Sequence, residues 1–253
     1  MGRNGQRLTQ TRLFEVRDDA CGMKVGTDSL LLGAWTPVEP DMKVLDIGTG
    51  SGILLLMLAQ RAQGRGTFAG IELDDRACEQ AKNNLARSPF EANVIQADAL
   101  QWMRNPTEGP FDVVVCNPPF FRNKPLSPDP SRNLARHDDH LPIEKMFPLV
   151  ASILNPEGLF SMVWPTDRKE ELLFVAKNAG FVCAKQVDIQ GHPEAAIRRH
   201  LFAFRHTAFA QENQYSKKRL KLIVEDGLRK PGEPPKYSKH YKNLLQDFFS
   251  QLA

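Results

Sequence analysis

From Met42 onward, short apolar runs alternate with segments whose apolar residues recur at helical spacing. Val44-Leu45 within Lys43–Ile47, and Val113-Val114-Val115 within Phe111–Cys116, are apolar without interruption. That pattern marks strands covered on both faces rather than strands with one wet side. Further strands are expected at Thr67–Leu73, Asn93–Gln96, Gly158–Trp164, Phe181–Ile189 and His200–Thr207. Helices are expected at Gly52–Ala62, Asp74–Arg87, Ile143–Leu154 and Arg168–Ala179. Such alternation with short connections predicts an α/β fold, a largely parallel sheet with helices on both faces. Ligands of these sheets sit beyond the carboxyl ends of the strands, near the reversal of strand order.

The flanks depart from this rhythm. Residues 1–12 are polar and basic and read as a frayed arm, and Leu13 to Val25 reads as a short extended or hairpin segment. Thr27 or Asp28 is expected to cap a helix over Ser29–Trp35, which Pro37 ends. Phe121 to Leu141 is a long connection rich in Pro, Asn, Asp and Arg, and loops of that length are usually functional. In the tail, Leu220–Val224 is a strand candidate. After it, Tyr241, Leu244, Leu245, Phe248, Phe249 and Leu252 form an apolar stripe on a helix expected from Ser238.

Composition changes the picture little. With 253 residues, 42% of them hydrophobic and 25% charged, the chain can bury a full core and is not a disordered tract. Its longest apolar stretches, such as Ile53 to Ala59, are too short to span a bilayer, and the first residues carry no apolar signal core. Cys21, Cys78, Cys116 and Cys183 are widely spaced, which fits reduced thiols in a cytoplasmic protein. The net charge of +3 settles nothing by itself. No membrane partner and no metal are expected, since His137 and His140 have no third ligand at suitable spacing. The oligomeric state is not fixed by the sequence; a monomer is expected.

Chemistry concentrates at strand ends. Asn117-Pro118-Pro119-Phe120 follows Phe111–Cys116, and two prolines there force the chain out of the sheet in one stiff shape. An amide side chain, carbonyls without competing donors and an aromatic ring suit an exocyclic amine on a planar group. Upstream, Asp46-Ile47-Gly48-Thr49-Gly50-Ser51-Gly52 joins a strand to a helix through a turn that glycine permits. Glu72 stands twenty residues after Gly52, where an acid can accept from both hydroxyls of a ribose. Asp98 ends the third strand, placed to accept from an adenine amino group. A nicotinamide oxidoreductase would need glycine where Ile53 stands.

The Gly48, Gly50, Gly52 spacing after Asp46 resembles that of class I S-adenosylmethionine-dependent methyltransferases, and Asn117–Phe120 resembles the motif of those acting on amino groups. Within that class, the block Met23–Trp35 followed by Leu45–Gly52 is similar to the bacterial tRNA(Val) adenine-N6 methyltransferase family. So are Ala135-Arg136-His137 and the tail pattern Tyr237-Ser238, Tyr241, Leu244 and Phe248. The family often has Tyr where this chain has Phe120.

The resemblance implies a Rossmann-like class I fold with a mostly parallel seven-stranded sheet and an antiparallel last strand. Its implied division is a flexible basic arm over 1–12, a methyltransferase domain over 13–210 that includes an N-terminal segment 13–41, and a basic extension over 211–253 packed on the same domain. It implies S-adenosyl-L-methionine as cofactor and the anticodon loop of tRNA as partner, with adenosine 37 methylated. Asp46 is then expected near the methionyl amine, with Gly48, Thr49 and Gly50 along the cofactor. Glu72 and Leu73 would meet the ribose side, Asp98 and Ala99 the adenine. Lys24, Thr27 and Asp28 would close over the methionine end. Asn117 Oδ1 and the Pro118 carbonyl would each accept one amine hydrogen while Phe120 stacks on the base, and Asn117 also borders the cofactor. Arg122, Lys124, Arg132 and Arg136 beside this motif, and Lys217, Lys218 and Arg219 in the tail, are expected on RNA phosphates. The alternatives are a guanine-N2 rRNA methyltransferase and a non-catalytic, cofactor-binding RNA-binding protein.

Overall fold

The computed structural model describes residues 8–118, 141–209, 220–228 and 232–252. The chain opens with an antiparallel pair, β1 (Leu8–Gln10) and β2 (Glu15–Arg17), then α1 (Thr27–Trp35). The body follows as β3 (Lys43–Ile47), α2 (Ile53–Arg61), β4 (Thr67–Glu72), α3 (Asp75–Ala86), β5 (Asn93–Gln96), α4 (Ala99–Trp102) and β6 (Phe111–Cys116). Beyond the long connection come α5 (Ile143–Ile153), β7 (Leu154–Pro165), α6 (Lys169–Asn178), β8 (Phe181–Gln190) and β9 (Arg199–His206). The tail supplies β10 (Leu220–Ile223) and α7 (Lys239–Leu245).

Eight strands form the main sheet in the order β10-β8-β9-β7-β6-β3-β4-β5. Every neighbouring pair is parallel except those made by β9, which runs against both β7 and β8. Strand order reverses between β3 and β6, so a crevice opens at their carboxyl ends. One apolar core packs α1, α2, α3 and α7 on one face, and a second packs α4, α5 and α6 on the other. Burial on both faces explains why Val113, Val114 and Val115 are at most 2% exposed.

Four expectations are corrected. The sheet has eight strands rather than seven, because β10 pairs in parallel with β8 from Leu220↔Val187 to Ile223↔Gln190. Leu222 and Val224 are buried by this addition, which removes the free edge of β8. The arm expected to fray through residue 12 is held from Leu8. Thr11 Oγ1 donates to the Phe14 carbonyl at 2.6 Å, and the Arg12 amide donates to the Phe248 carbonyl at 2.7 Å. The cap of α1 is Gly26, not Thr27 or Asp28: Ser29 Oγ accepts from the Gly26 amide and donates to its carbonyl. Finally, α7 stops at Leu245 although the apolar stripe continues. Carbonyls that a longer helix would use are taken instead, Gln246 by Arg12 Nε at 2.9 Å and Asp247 by Gln60 Nε2 at 2.8 Å. Phe248, Phe249 and Leu252 remain buried all the same.

Candidate active site

The crevice contains a cleft open on one side, lined by residues from several strand ends. Most of its lining comes from four places. These are the strap 21–25 before α1, the glycine turn after β3, the ends of β4 and β5, and Asn117-Pro118 after β6.

The glycine turn is tied to β4. Both the Gly48 and Thr49 amides donate to the Ile71 carbonyl, at 2.9 and 3.0 Å. Gly48 and Gly50 have φ of 71° and 56°, a left-handed geometry that costs a side-chain-bearing residue about 1–2 kcal/mol. Space is not the constraint, since a Cβ at either position would meet nothing within 4 Å. Conformation alone selects glycine here. Glu72 completes the turn: its Oε2 accepts from the Gly50 amide at 2.8 Å and its Oε1 from the Asp74 amide at 3.0 Å. Burial pushes the Glu72 carboxyl above its ordinary value, while the amides of Asp74, Gly50 and Leu73 pull it back.

Asp46 lies beneath the turn and does not line the cleft. Its Oδ2 accepts from Thr49 Oγ1 at 2.7 Å, and its buried Oδ1 has no partner among the described residues. Burial raises this carboxyl to about 7; the Thr49 hydroxyl opposes the shift and the charge of Glu72 adds to it. An acid with a raised folded value binds its proton more tightly when folded than when unfolded. Its stabilising contribution is therefore complete below about pH 4 and is lost as pH climbs to about 7. Thermal unfolding of the unliganded protein will show wild-type stability, measured against Asp46→Asn, falling on the order of a few kcal/mol across that window. A pH-independent difference would contradict the buried-acid geometry.

The strap is knotted on itself. Lys24 Nζ donates to the carbonyls of Asp18, Asp19 and Cys21 at 2.6, 3.0 and 2.9 Å, using all three of its hydrogens. Asp18 Oδ2 accepts from the Val25 amide at 2.7 Å. Lys24 thus lines the cleft as the tie of its wall, with its ammonium already committed. Burial, Glu72 and Asp18 push the Cys21 thiol in the same wall up to about 12, which leaves it an unreactive apolar surface.

Of the residues singled out in the sequence, Lys24, Gly48, Thr49, Gly50, Glu72, Leu73, Asp98, Ala99, Asn117 and Pro118 share this cleft. Asp98 also caps α4, its Oδ1 accepting from the Gln101 amide at 3.0 Å, so only part of its carboxylate is engaged. Thr27 and Asp28 are not in the wall. Thr27 is exposed, and Asp28 Oδ2 faces Arg199 Nε at 3.4 Å, tying α1 to β9 instead. Burial raises the Asp28 carboxyl, and the Arg199 charge opposes the shift. Phe120, Arg122, Lys124, Arg132, Arg136, Lys217, Lys218 and Arg219 lie outside the described residues.

Of the Asn117–Phe120 motif, Asn117 and Pro118 lie among the described residues. Asn117 Oδ1 is buried, borders the cleft and accepts no hydrogen bond among the described residues. Buried acceptors are rarely left so, because an unmade bond costs about 1–3 kcal/mol. Two further contributors escaped the sequence reading. Gln80 and Asn84 of α3 reach the strap and the glycine turn (below). Asn84 stands in the buried stripe Ala77, Cys78, Ala81, Asn84, Leu85, and a polar residue in an apolar stripe is the signal that would have found it. Among the described residues no cluster of three or more His, Cys, Asp or Glu could hold a metal, and no helix is long and apolar enough to cross a membrane.

A parallel sheet with one reversed strand and a glycine turn, an acid and an Asn-Pro end around one cleft define a Rossmann-like methyltransferase. The methyltransferase small domain model matches residues 21–174. A protein from Agrobacterium tumefaciens described as a predicted O-methyltransferase has the same fold, with a TM-score of 0.60 over 87% of this chain and 96% of that one at 15% identity. The ribosomal protein L11 methylase of Lactobacillus delbrueckii aligns over 70% and 77% with a TM-score of 0.52 at 17% identity. Relatives of higher identity are narrower in kind. The tRNA1(Val) (adenine(37)-N6)-methyltransferase of Phocaeicola vulgatus is 41% identical over 94% of this chain and 96% of its own, and that of Bacteroides fragilis 34% over 98% and 99%. The chain belongs to the tRNA1(Val) (adenine(37)-N6)-methyltransferase family.

Proposed function

We propose that this protein uses S-adenosyl-L-methionine to methylate the exocyclic N6 of adenosine 37 in tRNA(Val), in the cytoplasm. The observation that carries the reading is Asn117 Oδ1, a buried acceptor without a partner among the described residues, at the mouth of β6 beside Pro118. The donor set of the cleft fits the cofactor. Glu72 suits a ribose diol and the engaged-in-part Asp98 an adenine amine, while Asp46 stays behind the turn that they flank. When bound, the cofactor supplies an electrophilic methyl group on a sulfonium.

An adenine amine is a weak nucleophile because its lone pair is delocalised into the ring. Asn117 Oδ1 accepts one amine hydrogen and the Pro118 carbonyl the other, which favours a pyramidal nitrogen and aims its lone pair. Positioning and fixed dipoles of this kind account for much of a barrier reduction without a strong base. The nitrogen sheds its proton after transfer, when it has become acidic. Phe120 stacks on the base, a contact worth about 1–3 kcal/mol. Arg122, Lys124, Arg132, Arg136, Lys217, Lys218 and Arg219 meet backbone phosphates, which makes binding salt-sensitive.

Incubating the protein with labelled methyl donor and total tRNA, then digesting to nucleosides for mass spectrometry, tests this directly. Label is expected in N6-methyladenosine and, after fragment mapping, at position 37 of tRNA(Val). Label in N2-methylguanosine, or bound cofactor with no transfer to any RNA, would overturn the reading.

A further inference from the structure

The two walls of the cleft that come from different parts of the chain are joined by one helix face. Asn84 of α3, 2% exposed, engages three backbone groups. Its Oδ1 accepts from the Arg17 amide at 3.1 Å, and its Nδ2 donates to the carbonyls of Arg17 and Ser51, both at 2.8 Å. Arg17 ends β2 and leads into the strap, whereas Ser51 belongs to the glycine turn. One amide therefore holds both walls. One turn earlier on the same face, Gln80 Oε1 accepts from the Ala20 amide at 2.7 Å and Nε2 donates to Asp19 Oδ1 at 3.1 Å. Residues four apart on a helix lie side by side. Gly52 seats the turn against the same helix, where a Cβ would come within 3.6 Å of Ala81 Cβ.

We propose that Gln80 and Asn84 are positioning residues for the cofactor: a clasp on α3 that fixes the strap 18–25 relative to the glycine turn and so sets cofactor affinity. The inference rests on the cleft being the S-adenosylmethionine site. The strap's internal knot of Asp18 and Lys24 fixes its shape. Side-chain hydrogen bonds join Arg17, Asp19, Ala20 and Cys21 to Gln80 or Asn84. Asn117 and Pro118, by contrast, directly follow β6. The clasp should therefore act on cofactor binding and leave the transfer step alone.

Gln80→Met and Asn84→Ala test this, each in the full chain, with KM for S-adenosylmethionine, kcat on tRNA, calorimetric cofactor binding and thermal unfolding measured together. Loss of one or two net hydrogen bonds predicts a KM raised about tenfold, with kcat at saturating cofactor within about twofold of wild type. The half-buried Gln80 is the safer site should Asn84→Ala fold poorly. A role in folding alone predicts a lower unfolding temperature with KM unchanged in the folded fraction, and that result overturns the clasp. So does a fall in kcat at constant KM. Wild-type protein run alongside separates the two readings: if it does not bind the cofactor, the cleft assignment fails, whereas wild-type binding matched by both variants defeats only the clasp.

Discussion

Replacing Asn117 by Ala is expected to lower methyl transfer about 10²- to 10³-fold or more, the range seen when one preorganised polar contact to a reacting centre is removed. Cofactor binding should survive. Asn117 Oδ1 has no partner among the described residues, so the truncation breaks no bond of that oxygen within them. The glycine turn and Glu72 are anchored on β4 and do not depend on it. The loss should therefore appear in single-turnover rate at saturating cofactor, with calorimetric affinity and unfolding temperature near wild type. Asn117→Asp keeps an acceptor at the same place and should retain more activity than Ala. Near-wild-type transfer by Asn117→Ala would refute the amine-gripping mechanism, and lost cofactor affinity would move the residue to a different role.

The opposite division is expected at Glu72. Its carboxylate holds the Gly50 and Asp74 amides and is the acid available to a ribose diol. Hydrogen bonds to a charged group contribute about 1.5–3 kcal/mol each, so Glu72→Ala should weaken cofactor binding about 100-fold. The maximal rate at saturating cofactor should change far less, because the groups on the amine come from β6. A second consequence is electrostatic. The Glu72 charge helps raise both Asp46 and Cys21, so its removal should bring the Asp46 titration to lower pH. Glu72→Gln, which removes the charge yet keeps the shape, should reproduce that displacement with a smaller loss of affinity. Isothermal calorimetry with the cofactor and unfolding across pH measure both effects; unchanged affinity in Glu72→Ala would remove the residue from the site.

These two residues were legible for a shared reason. Asn117 and Glu72 sit directly after apolar runs whose period and length mark strands, and strand ends on a parallel sheet converge on the crevice. Lys24 was legible as part of a distinctive block, and it lines the cleft. Its spacing cannot reveal that three carbonyls of its own loop exhaust its donors. Asp46 shows the same limit: a strand-end acid looks open to the crevice, yet full burial and Thr49 place it behind the wall. Thr27 and Asp28 were assigned to the methionine end by family resemblance, whereas the start of α1 turns Asp28 toward Arg199.

The hydrophobic pattern by itself determined the alternation of strand and helix, burial on both faces of the sheet and the chain positions where ligand-binding groups emerge. Those properties depend on neighbours a few residues apart, which periodicity records. Tertiary structure alone decided that β10 would add an eighth strand beside β8, that Arg12 would cap the end of α7, and that Gln80 and Asn84 would join the strap to the glycine turn. Each of these rests on hydrogen bonds to a backbone group far away in the chain. A backbone amide or carbonyl is common to nearly every residue type, so which distant partner it meets leaves no mark in the order of side chains.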